Sequence, residues 1–208
     1  YDSANVGIDK FYFLVTIFII LVYFNSVNFI DGSDGFLICH IIFYILGALL
    51  IVSNVNFKIL DDYLIFLIIF LSTSLAFLFF NLSGKIIIGN TGSFATGFIL
   101  CYFGILLVRN DLTYQFLILI MYPLIDVILS LLNKLIIKKD LIKKDFCYFF
   151  LKPIKNRGQT HLYVLKSFLV YNIFNFFSLY LSIYINSFFG LFCSIISSSI
   201  LILHYQKN

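Results

Sequence analysis

Seven apolar runs, each near the length that crosses a bilayer as a helix, constrain this chain more than any other feature. They cover approximately Phe11–Ile30, Phe36–Val55, Tyr63–Asn81, Ser93–Val108, Thr113–Asn133, Leu165–Ile185 and Phe188–His204. A membrane helix needs roughly 17–25 mostly apolar residues. Only 12% of the chain is charged, about half the share of a soluble domain, so it cannot clothe a water-facing surface. In lipid every backbone polar group must be satisfied internally. The fold expected is therefore all-α, a polytopic transmembrane bundle forming one integral membrane domain over residues 1–208. With 14 Tyr and no Trp, Tyr alone must supply the aromatic belts at the membrane surfaces.

Charge orients the bundle. Of the 14 basic residues, all but Lys10, Lys58 and Arg109 fall at one set of alternate connections. Basic residues favour the cytoplasmic side, which predicts cytoplasmic loops at about 31–36, 82–92 and 134–164. Tyr1–Lys10 is expected as an outside interhelical loop, and the start at Tyr1 suggests a piece of a longer protein. Cys39, Cys101, Cys147 and Cys193 are too scattered for a metal or redox motif.

Polar residues gather at the predicted cytoplasmic loops. In Asn25-Ser-Val-Asn28-Phe-Ile-Asp31-Gly32-Ser-Asp34-Gly35, Asn25 and Asn28 are three apart and should share a helix face. Two carboxylates at a glycine break suit Mg²⁺, which takes one or two carboxylates plus phosphate oxygens. The same residues also suit a helix cap and turn. Asn81-Leu-Ser-Gly-Lys85-Ile-Ile-Ile-Gly89-Asn90-Thr91-Gly92-Ser93 is glycine-rich before a helix, either a simple turn or an anion cradle. Asp126, after Pro123 in an apolar run, needs a partner or a wet cleft. The basic stretch from Lys134 to Arg157, which runs on to His161 and Tyr163, suits a surface of anionic lipid.

These four segments, in this order, resemble the polyprenyl-phosphate N-acetylhexosamine-1-phosphate transferases, the glycosyltransferase 4 group of membrane enzymes. The resemblance runs from about Phe11 to Tyr163. It implies Asp31 and Asp34 as catalytic residues and magnesium ligands, with Asn90 standing where the family has an acidic ligand. It implies substrate contacts from Asn25, Asn28, Lys85, Asp126, Arg157, His161 and Tyr163. The commoner His-x-His-His form is reduced here to His161-x-Tyr163. Implied too are a UDP-N-acetylhexosamine, a polyprenyl phosphate, Mg²⁺ (or Mn²⁺), a homodimer, no nucleic acid, and an active site on the cytoplasmic side of the inner membrane. The reaction would release UMP and form a polyprenyl-diphospho-sugar, the first membrane step of a cell-envelope glycan. The family's adjacent aspartate pair precedes the Asn-x-x-Asn segment. Asp61-Asp62 follows it on the opposite side, so the 208 residues alone are expected to be inactive. A transporter built around the intramembrane polar residues, or an inactive member of the family, are the competing readings.

Overall fold

The computed structural model describes residues 3–54, 58–137 and 148–207. Among them, helices α1 (Ser3–Phe29), α2 (Phe36–Asn54), α3 (Lys58–Leu82), α4 (Gly89–Arg109) and α5 (Thr113–Ile136) come first in chain order. A 3₁₀ turn at Phe149–Leu151 and the short α6 (Lys152–Arg157) follow, then α7 (His161–Tyr184) and α8 (Ser187–Lys207). Seven of these helices, all but α6, are long and apolar enough to cross a membrane. The all-α polytopic architecture is as expected.

Several boundaries differ from those expected. Residues 3–10 continue α1 and are not a loop. The glycine-rich segment becomes the first turn of α4 from Gly89 onward. Within the stretch expected as a loop, residues 149–157 form the 3₁₀ turn and α6, and α7 begins at His161. In each case hydropathy marks where lipid contact ends, whereas the backbone stays helical for as long as its hydrogen bonds are satisfied. Lys138, Lys139, Lys143, Lys144 and Cys147 lie outside the described residues.

Two helices, α2 and α5, form the centre, and most of each span is buried. Helix α1 packs on α4 and α5, α3 on α2, and α7 on α8. The α7–α8 seam is close because Gly190, Ser194 and Ser198 recur every four residues on α8, and all are buried. A Cβ at Gly190 would lie 2.5 Å from the Ser178 carbonyl. Small residues at such spacing let helices approach in lipid. Large apolar side chains such as Ile65, Phe79, Phe98 and Phe174 face outward, as a lipid-solvated surface requires. Tyrosines gather at the end away from the polar loops. There Tyr12 bonds Thr113, Tyr63 bonds Tyr102, and Tyr184 donates to Asn54. Asp61-Asp62 belongs to the same distal end of α3.

Candidate functional site

The site is built at the other end, around the loop joining α1 to α2. Gly35 has φ +76°, a left-handed backbone that glycine adopts without penalty. A Cβ there would also lie 2.6 Å from Leu82 and 3.1 Å from Leu165. The loop can therefore turn sharply and still pack between α3 and α7.

Three separate segments tie this loop down. From α3, Asn81 Oδ1 accepts the Gly35 N–H at 2.6 Å, while its Nδ2 donates to the Ile86 carbonyl at 2.8 Å. From α4, the Gly89 N–H faces the Asp31 carboxylate. Asn28 Nδ2 donates to Ser93 Oγ at 2.7 Å and to Asn90 Oδ1 at 3.4 Å. From α7, His161 Nδ1 accepts the Asp34 N–H at 3.3 Å and lies 3.1 Å from Ser33 Oγ. An amide N–H can only donate, so Nδ1 is the unprotonated nitrogen and Nε2 carries the proton of the neutral ring. His161 is exposed, and its Nε2–H is a donor suited to an anion.

Half-burial pushes the Asp31 carboxyl up to about 6, against the opposing pull of the Gly89 N–H. This carboxylate, at the N-terminus of α4, sits where a helix favours negative charge. Asn90, in the same first turn, is exposed. Among the described residues no three His, Cys, Asp or Glu side chains gather to cage a metal by themselves. Two carboxylates and an amide fit a hard cation that completes its shell with water and phosphate oxygens. They do not fit a closed zinc site.

Other expected residues fall differently. Asn25 does not join Asn28; it is exposed and its Nδ2 donates back to the Leu21 carbonyl. A spacing of three leaves the two side chains on adjacent flanks of α1, and only the Asn28 flank meets α4. Lys85 and Arg157 are exposed at the rim of the same end, Arg157 closing α6. Tyr163 is half-buried and pairs with His204, 3.1 Å from hydroxyl to Nε2. Asp126 is 0% exposed, so the substrate contact expected of it is not open to it here.

Local sequence patterns do not reveal Asn81, Ser33, Ser93 or His204 as partners within the site. Asn81 and Ser93 lie within the glycine-rich segment that carries part of the family resemblance, which attaches no role to either. His204 lies 41 residues from Tyr163, beyond any local pattern. His40, by contrast, is a core residue bonded to the Tyr23 hydroxyl at 2.9 Å.

Comparison with known proteins adds to this geometry. Glycosyl transferase family 4 matches residues 3–108. The chain is 35% identical over 112 residues to the phospho-N-acetylmuramoyl-pentapeptide-transferase of Borreliella afzelii (strain PKo), covering 47% of this chain and 32% of that protein. It is 33% identical over 129 residues to the protein of the same name from Borrelia garinii subsp. bavariensis, covering 55% of this chain and 36% of the relative. The match thus spans about a third of the length of these curated relatives. No solved structure matches the chain.

Proposed function

The chain belongs to glycosyl transferase family 4, and from that premise we propose that the full-length protein transfers an N-acetylhexosamine-1-phosphate from a UDP-sugar to a polyprenyl phosphate. A phosphate oxygen of the lipid would attack the β-phosphorus of the UDP-sugar. The bond between that phosphorus and the bridging oxygen breaks, releasing UMP and leaving a polyprenyl-diphospho-sugar. The two relatives are named as transferases of a phospho-sugar peptide, which supports this reaction class. The observation that carries the reading is convergence: Asp31, the first turn of α4 and His161 come from distant segments and meet at one loop at one end of a membrane bundle.

Both reactants are anionic, so their approach needs positive charge and donors. Asp31 and Asp34, with Asn90 as a neutral donor, would hold Mg²⁺. Bound there, the ion would supply the charge that offsets the diphosphate and developing leaving group. The rest falls to the chain. The His161 Nε2–H would bind a phosphate oxygen, and its Nδ1 is held by the backbone of Asp34, so metal loop and phosphate donor stay in register. Lys85 and Arg157, at the rim, would attract the nucleotide. The seven spans keep this end at the membrane surface, where a lipid phosphate is available. The excess of Lys and Arg at this end supports a cytoplasmic site in the inner membrane. Asn90 favours a second reading, a family member that no longer turns over. Both are tested by incubating membranes holding the full-length protein with candidate UDP-sugars and polyprenyl phosphate and measuring UMP. No UMP from any of them, with well-folded protein, would favour the second reading.

A further inference from the structure

The buried carboxylate of Asp126 reaches no surface, yet each of its oxygens is occupied. Tyr122, Asp126, Ser130 and Lys134 recur every four residues on α5, and all four are buried. The Tyr122 hydroxyl donates to Asp126 Oδ2 at 2.9 Å, and the Ser130 hydroxyl to Oδ1 at 3.1 Å. A third donor comes from outside the helix: the Phe149 N–H reaches Oδ1 at 3.0 Å, and the Phe150 N–H lies close to the same carboxylate. A carboxylate that accepts several N–H and O–H bonds holds its donors strongly. Deprived of them it would be an unmatched buried charge.

Phe149 opens the 3₁₀ turn, and this turn is the floor of the site. The Phe150 ring stacks on Phe36, the residue after Gly35, with centroids 4.7 Å apart. Phe36 stacks in turn on Phe168 of α7 at 4.1 Å. Directly under the acidic loop, a Cβ on Gly32 would touch Leu151 and Phe150 at 3.4 Å. Tyr148 stacks on Phe29 at the end of α1 at 5.2 Å. The path from Asp126 to the Asp31–Asp34 loop therefore runs through the Phe149 amide and the Phe150 and Leu151 side chains beneath Gly32.

We infer that Asp126 is a positioning residue: it clamps the Phe149–Leu151 turn beneath the Asp31–Asp34 loop and so sets the height and tilt of both acidic residues. The effect on turnover rests on the transferase reading above, whereas the clamp itself does not. The inference also explains why an ionisable group sits within a membrane helix without facing substrate: its task is to hold a polar turn against an apolar bundle.

The test separates clamp from chemistry. Asp126→Leu keeps roughly the size of the side chain and can accept none of these donors. Full-length protein is prepared with a single cysteine, either by Leu151→Cys or by keeping only native Cys39, which is buried in α2 at the same end. A water-soluble maleimide is applied in detergent without substrate or metal. With Asp126→Leu, labelling at position 151 should rise at least about 10-fold as the turn opens, while Cys39 stays protected. In the otherwise native protein the same change should lower kcat at least about 10-fold, as expected for displaced catalytic groups. KM for the UDP-sugar should change less than about 3-fold. Unchanged labelling at position 151 overturns the clamp. An equal rise at Cys39 overturns it too, because the bundle as a whole would then have loosened. Opening at position 151 with unchanged kcat overturns the link to the acidic loop. A raised KM with constant kcat and a closed turn would make Asp126 a substrate contact instead. If no transferase activity exists at all, the labelling still decides the clamp.

Discussion

Asn81 and Gly35 are 46 positions apart, and a 2.6 Å bond from the Gly35 N–H to Asn81 Oδ1 joins the end of α3 to the loop after α1. The same side chain caps its own connection through Ile86. One buried amide thus orders two of the segments that make the site. Asn81→Ala leaves the Gly35 N–H buried without an acceptor, at a cost of about 1–3 kcal/mol. The melting temperature of the purified full-length protein should fall by several degrees, on the order of 2–8 °C. Turnover should fall with it, because Gly35 adjoins Asp34. An unchanged melting temperature would show that water replaces the amide without loss.

Asp31→Asn and Asp34→Asn should each cut turnover at least about 100-fold, the scale for removing a group that stabilises developing charge. The measurement is UMP release by full-length protein at matched expression. Near-normal release in both variants would remove these two residues from the chemistry.

Asp31 also predicts an opposite effect on stability. Its carboxyl is raised in the folded protein from 3.8 to about 6, mainly by burial. A raised acid binds its proton more tightly when folded than when unfolded. Its favourable contribution is complete below about 3.8 and is lost as pH rises through about 6. Metal-free Asp31→Asn should therefore melt higher than the native protein at pH 8, and the gain should shrink toward pH 4. Thermal melts in EDTA across that range check the sign. Protons should also compete with Mg²⁺, so half-maximal activity should need more Mg²⁺ at pH 5.5 than at pH 7.5.

Asn90→Asp should lower the Mg²⁺ needed for half-maximal activity. The new carboxylate lies in the first turn of α4, which favours negative charge. It also keeps an acceptor for Asn28, now bonded at 3.4 Å. A Mg²⁺ titration of both proteins decides the matter, and an equal or higher requirement in the variant would place Asn90 off the metal.

Sidedness is tested by single cysteines in intact cells. Gln159→Cys, exposed beside the α7 start, should resist an impermeant maleimide. Asp111→Cys, between α4 and α5, should react. The reverse pattern would place the site outside the cell.

The sequence makes the spans legible because lipid demands long apolar runs, and seven of them recur as helices. The convergence of Asp31, Asn90 and His161 is also legible, from the order of the motifs and the charge split along the chain. Helical phase is harder to read. Asn25 and Asn28 are equivalent by spacing, and only the packing of α1 on α4 makes one structural and leaves the other at the surface. Asp126 looks equally suited to substrate or scaffold until the Phe149–Leu151 turn covers it. That turn follows a basic stretch whose composition suggests a solvated loop, and its burial comes from packing on α5 and α8 and from the Phe36 ring of α2. His204 acquires a partner only through the α7–α8 seam.

The three ties on the Gly35 loop also impose an order on biosynthesis. The loop leaves the ribosome with α1, but Asn81 arrives one helical hairpin later, Gly89 just after it, and His161 only after α5. Until then the amides of Asp34 and Gly35 must be served by water or by the insertion machinery. This end of the bundle therefore stays hydrated longest and should be its last part to mature. Slow synthesis between α5 and α7 would leave an inserted protein whose acidic loop is still unset, and quality-control proteases would meet that form first.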